Sequence, residues 1–159
     1  AGTENVPAIV GMGRAAELAK AEMQKRIDHL RPLRDRIIDT MSGVERVYLT
    51  GDRDNRLPAH ASFCVEYIEG EAMLLLLAAK GVFSASGSAC SSKALKASPV
   101  LLAMGIPSIV FSLGMGNAPE DVDYLLAEFP AVIKRLREIS PYAQGWGERE
   151  EGGECTVSE

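Results

Sequence analysis

A run of small residues, Ser86-Gly87-Ser88-Ala89-Cys90-Ser91-Ser92, carries one thiol. A free cysteine is usually a buried small hydrophobe. Here its neighbours include nothing large enough to anchor the segment in a core, so the Cys90 thiol is expected to be exposed and mobile. That placement suits a thiol that must travel between a donor and an acceptor. Only the thiolate attacks, and Lys93, three residues on, is a cation that could lower the thiol pKa. On the residues alone, the competing reading is an incidental surface cysteine in a serine-rich turn.

The other residues able to do chemistry have plainer readings. Cys64 lies in Ser62-Phe63-Cys64-Val65-Glu66-Tyr67, a run of β-formers, and is expected to pack in the sheet or core. Cys155 is expected to be free in an acidic tail. Three cysteines without a C-x-x-C spacing disfavour a disulfide framework and a zinc site, and no metal ligands are assigned. A reducing cytosol is the simplest compartment for such a set. His29, on the polar side of a helix, and His60, in a turn before a strand, are expected to be solvated. Glu69 and Glu71 sit at a helix start, where carboxylates suit the dipole, and receive no acid or base role. Arg31, Arg34 and Arg36 cluster on one helix; they read as a solvated face, or else as a docking patch for an acidic partner.

The elements that must position these residues follow from periodicity. Residues 5–41 read as one long amphipathic helix, with Ala16, Ala19, Met23, Ile27, Leu30, Ile37 and Met41 on its apolar side. Pro32 predicts a kink or break, and Gly43 a stop. Short strands are predicted at 47–50, 62–67, 81–84 and 109–113. A helix over 69–80 should stop at Gly81, and a shorter one should cover 99–104. Asn117-x-x-Glu120 resembles a capping box for a last helix ending near Ile139. From Gly145 onward the chain is acidic and glycine-rich, which predicts a mobile tail. Strands alternating with helices imply an α/β or α+β fold, a small mixed sheet with helices packed on it.

Composition bounds the rest. The chain has 159 residues, 47% of them hydrophobic, with a net charge of −5, enough for one domain with its own core. The acidic balance argues against non-specific nucleic-acid binding. The longest apolar run, Ala72 to Ala79, is of helix-core rather than membrane-spanning length. No basic segment followed by an apolar stretch opens the chain, so no signal peptide is expected.

Six blocks, in order, resemble the small-domain region of NifS/IscS-like cysteine desulfurases. They are Gly2-Thr3-Glu4-Asn5-Val6-Pro7, Ile9-Val10-Gly11-Met12-Gly13, Asn55-Arg56-Leu57-Pro58, Glu69-Gly70-Glu71, Ser86-Gly87-Ser88-Ala89-Cys90, and Phe111-Ser112-Leu113-Gly114 followed by Asn117 and Glu120-Asp121. The resemblance implies the C-terminal domain of a fold-type I pyridoxal-phosphate enzyme. Residues 1–144 would form it, with 1–13 joining from a large domain and 14–41 as the long helix, ahead of a flexible tail at 145–159. In such enzymes a large-domain lysine holds the cofactor, and a loop cysteine takes sulfur from L-cysteine as a persulfide, leaving L-alanine. Carried over, Cys90 would be that nucleophile. Thr3 would match the residue that reaches the cofactor phosphate of the neighbouring subunit in the family homodimer; its alternative is to cap a helix. No lysine here follows a histidine as the family's cofactor lysine does, so this chain alone is expected to be inactive and to leave pyridoxal phosphate unbound. The partner implied is a sulfur acceptor or an iron–sulfur scaffold protein.

Two departures stand beside the substrate site that the resemblance implies. Val110 occupies the position of the family arginine that grips the substrate carboxylate through a bidentate pair, and the stretch from Gly105 to Phe111 is several residues short. The rival reading is a non-catalytic module that dimerises or docks a sulfur acceptor. A selenocysteine lyase or transaminase relative is a third, although a plain transaminase needs no thiol.

Overall fold

The computed structural model describes residues 2–86 and 108–140. Two helices open the chain, α1 (Val6–Ala21) and α2 (Met23–Met41), followed by strands β1 (Val47–Leu49) and β2 (His60–Val65), helix α3 (Gly70–Ala79), strand β3 (Ser108–Ser112) and helix α4 (Pro119–Ile139). The strands lie in the order β1-β2-β3 with both pairings antiparallel. The expected layer of helices on a small sheet is present, and its described strand pairs are all antiparallel.

The alternation of β2 and β3 decides which side carries the core. Ala61, Phe63 and Val65 on β2, Ile109 and Phe111 on β3, and Val47 on β1 are all buried on one face. They meet Ile37, Ile38 and Met41 of α2, Met73 and Leu77 of α3, and Val122, Phe129, Val132 and Ile133 of α4. Phe111 links the layers. Its ring lies 6.4 Å from Phe63 and 5.9 Å, edge to face, from Phe129. Such pairs stabilise by about 0.5–1.5 kcal/mol beyond their area.

The long helix differs from its expected form. It divides at Glu22, not at Pro32, and Pro32 lies inside α2. A proline in a helix interior costs about 3 kcal/mol. On α2, Leu30, Leu33, Ile37, Ile38 and Met41 are buried, and each such side chain gains about 1.5–3 kcal/mol, so packing outweighs the lost amide bond. The apolar stripe expected over residues 16–23 is exposed, because α1 buries no residue.

Two further boundaries move by identifiable hydrogen bonds. Residues 81–84 form no strand. Gly81, at φ +80°, and Val82 donate their amides to Ala78 and Leu77, both at 2.9 Å, a Schellman closure of α3. Val82 is therefore committed to the helix end, and the chain first meets the sheet at Ala85, which bridges Val110. At α4 the N-cap is Ala118 rather than Asn117. The Asp121 carboxylate accepts from the Ala118 amide at 3.0 Å and the Asn117 side-chain amide at 3.3 Å, while the Asn117 carbonyl oxygen Oδ1 accepts from Gly114 N–H at 2.8 Å. The helix expected over 99–104 and the tail from 145 lie outside the described residues.

Candidate functional site

The second face of the sheet is the one that carries the polar residues. Period-two alternation puts Tyr48 and Thr50, then His60, Ser62 and Cys64, then Ser108, Val110 and Ser112 opposite the core. In its middle, Ser62, Cys64 and Ser108 are buried. Ser62 and Thr50 share a hydroxyl–hydroxyl hydrogen bond, and the Thr50 hydroxyl also donates to the Ser62 carbonyl at 3.1 Å. Val110 pairs with Ser62 across the sheet. A polar side chain at 110 would stand among hydroxyls; the valine adds no donor and no charge.

Cys90 itself lies outside the described residues, and so does Lys93. The two ends of the chain that lead to Cys90 and return from it are described. Ala85 and Val110 exchange both backbone bonds, at 3.0 and 2.6 Å. One residue further out, the buried Ser108 hydroxyl donates to the Ser86 carbonyl at 2.8 Å. The thiol-bearing segment thus leaves and rejoins the sheet at one point, next to Val110. Cys90 follows Ser86 by four residues in the sequence. Ser108 escaped the sequence reading, although its place two residues before Val110 on the polar face of a strand was a legible signal.

Thr3 is exposed and precedes the first helix. The cap of α1 is Asn5, whose side-chain oxygen accepts from Ala8 N–H at 3.2 Å. The alternative offered for Thr3, helix capping, is therefore taken by another residue. The Thr3 hydroxyl makes no hydrogen bond among the described residues.

Cys64 is almost wholly buried, as expected of a packing cysteine, and burial followed by the nearby Glu66 charge pushes its thiol pKa up. A thiol held protonated in this way is a poor nucleophile. The histidines and Arg34 differ from their expected solvated state. His29 is half-buried, and its Nε2 donates to the Asn117 carbonyl at 2.9 Å, tying α2 to the approach of α4. His60 is half-buried at the start of β2 opposite Ser112. Arg34 is buried, paired with Asp35 at 2.6 Å, and donates to the Leu57 carbonyl at 3.2 Å. Its neighbourhood helps explain Arg56, whose pKa is lowered by burial first and by the Arg34 charge second. Arg34 thus holds the Arg56-Leu57-Pro58 turn. Arg31 and Arg36 remain exposed, Arg36 paired with Asp123. Glu69 occupies the N-cap position of α3 without a side-chain capping bond, and Glu71 lies in the first turn, so both are helix-start residues as expected.

The described residues do not fit a covalently held pyridoxal phosphate. A Schiff-base lysine must present a neutral amine. Lys80 is paired with Glu128 at 2.5 Å, and that hydrogen bond raises its pKa. Lys20, Lys25 and Lys134 are exposed on helices. Among the described residues no group of three histidine, cysteine or carboxylate side chains could hold a metal ion, and no helix is long and apolar enough to cross a membrane.

Comparison with known proteins adds the following. The aminotransferase class-V family matches residues 1–125. The cysteine desulfurase IscS of Dictyoglomus turgidum is 47% identical over 92% of this chain, a stretch that is 39% of that protein. The cysteine desulfurase IscS of Methanosarcina thermophila is 46% identical over 89% of this chain and 36% of its own length. A solved structure described as a NifS-like protein superposes with a TM-score of 0.71 at 27% identity, covering 86% of this chain and 36% of that one. The chain therefore spans about two fifths of the length of the curated relatives it matches.

Proposed function

Since the chain belongs to the aminotransferase class-V family, we propose that it is the part of a cysteine desulfurase that carries the sulfur-accepting thiol. The observation that carries this reading is the combination of 47% identity to a cysteine desulfurase with Cys90 set among Ser88, Ala89, Ser91 and Ser92. In it, the Cys90 thiolate takes sulfur from L-cysteine as a persulfide, L-alanine is released, and the persulfide passes to an acceptor protein. Pyridoxal phosphate supplies the electron sink in such chemistry. It would be held by residues beyond the stretch this chain shares with its relatives, in a dimer where Thr3 reaches the phosphate of the neighbouring subunit. Residues 1–13 would join this domain to the cofactor-holding one. The contribution of the described residues is positional. The Ala85–Val110 exchange and the Ser108–Ser86 bond fix the root from which Cys90 is carried.

One observation favours a second reading. Val110 leaves the polar face without the cation that would bind a substrate carboxylate. A module that docks an acceptor or dimerises, with no chemistry of its own, needs no such cation.

The test is time-resolved alkylation of the native chain at neutral pH with peptide mapping, followed by reaction with a persulfide donor. Cys90 is expected to label first, Cys155 second because the surrounding glutamates disfavour its thiolate, and Cys64 only on unfolding. Persulfide should accumulate on Cys90. Protection of Cys90 until the protein unfolds, or faster labelling of Cys155 by a wide margin, would remove the carrier role.

A further inference from the structure

Helix α3 is apolar on every side. Only Glu71 among its ten residues is charged, and Ala72 to Ala79 holds no polar side chain. A helix of that composition belongs in an interior, covered on more than one face. Yet α3 buries only Met73 and Leu77, on the side that packs against β3 and α4. Ala72, Leu75 and Ala79 recur at helical spacing on the opposite side. Leu75 is 70% exposed, Ala79 is exposed, and Leu76 beside them is half-buried. Phe83, two residues beyond the Gly81 closure of the same helix, is 85% exposed.

We propose that this face is a contact between two copies of the chain, with their α3 helices antiparallel across a two-fold axis between Leu75 and Leu76. A second copy is selected because the face complements itself. Across a two-fold axis, residue i of one copy meets residue j of the other, and the reverse. Leu75 then meets the partner's Leu76, Ala72 the partner's Ala79, and Glu71 at one end of the helix the partner's Lys80 at the other. Glu71 is exposed and forms no ion pair among the described residues. Lys80 is paired with Glu128 of its own chain, but its side chain is 42% exposed, and an ammonium has three donors to share. The place of α3 in the fold separates this contact from any at the start of the chain. Helix α1 packs on α2, α2 on α4, and α4 on α3, so α3 forms the flank farthest from α1 and from Thr3. The inference does not depend on the desulfurase reading. A ten-residue helix is about 15 Å long, short for the roughly 800 Å² that each partner of a stable interface buries. The dimer is therefore a reversible one, with a dissociation constant on the order of 100 μM.

Sedimentation velocity on the full 159-residue chain under reducing conditions tests the contact. The mass should rise from that of the 17.1 kDa monomer toward twice that value between about 5 and 500 μM. Leu75→Glu should hold the chain at the monomer mass throughout, with far-UV circular dichroism unchanged. If that variant unfolds, Phe83→Ser, at the most exposed apolar position, decides in its place. Glu71→Lys should raise the dissociation constant about fivefold or more, because two ion pairs per dimer become repulsive. High salt should weaken the wild-type dimer in the same direction. Val10→Glu, on the exposed face of α1, should leave the dimer intact. A wild-type chain that stays monomeric at 500 μM overturns the proposal. So does a dimer indifferent to both Leu75→Glu and Phe83→Ser, or one abolished by Val10→Glu, which would move the contact to α1. A dimer that Glu71→Lys strengthens overturns the antiparallel arrangement.

Discussion

Val110 and Cys64 share the polar face of the sheet and differ in what they can contribute. Cys64 is shielded and its thiol is pushed toward the protonated form, which makes it a poor nucleophile. Val110 sits beside the root of the Cys90 segment through its exchange with Ala85, and on the proposed reading it stands where a cation would meet a substrate carboxylate. Charge-assisted hydrogen bonds contribute about 1.5–3 kcal/mol each, or about tenfold or more in affinity. In an enzyme completed by a cofactor-holding domain from a relative, Val110→Arg is expected to lower the KM for L-cysteine by about that factor. Equal KM and turnover with valine and arginine would place the carboxylate clamp on another residue. The shortened Gly105–Phe111 stretch makes the comparison most informative when both variants carry it.

At the scale of elements, the ends of the helices decide the paths between them. The Schellman closure at Gly81 turns the chain from α3 toward the sheet. The cap at α4 rests on Asp121, whose pKa is lowered by the Ala118 amide first and the Asn117 side chain second. A carboxyl depressed in the folded state contributes stability above its unfolded pKa, and that contribution is lost as pH falls through the folded value. Asp121→Asn is therefore expected to lower the Tm at pH 7. It should also flatten the fall in Tm between about pH 5 and pH 2, the window in which carboxylates titrate. Thermal melts across that range check both effects. A variant that merely weakened packing would lower the curve without changing its acid slope.

At the scale of the whole molecule, the core and α1 have different standing. Helices α2, α3 and α4 close one face of the sheet around Phe63, Phe111 and Phe129. Helix α1 buries nothing and exposes Val6, Ile9, Val10 and Met12. An isolated helix of its length is marginal in water, and Gly11 and Gly13 weaken it further. Amide hydrogen exchange on this chain is expected to be about a hundredfold or more faster in α1 than in the buried turns of α2. Joining the chain to a cofactor-holding domain should slow α1 selectively. Protection of α1 equal to that of α2 in the free chain would show that it needs no such cover.

The amino-acid order by itself determined the elements whose signals are local: the alternating strands around Val47, Phe63 and Ile109, α3 with its stop at Gly81, and the last helix ending at Ile139. It also singled out Cys90, because a thiol among small residues is visible without coordinates, while Val110, just before the Phe-Ser-Leu-Gly block, stood out only through the family resemblance, which implies an arginine there. Three matters were settled only by tertiary structure. Pro32 is tolerated inside α2 because five apolar side chains on one face outweigh its cost, and no local scale contains that sum. Arg34 and His29 are drawn inward by carbonyls of Leu57 and Asn117, partners 23 and 88 residues away. Ser108 acquires its role because β3 returns to the point where Ser86 leaves. Periodicity assigns a residue to a face, while long-range packing decides what that face meets.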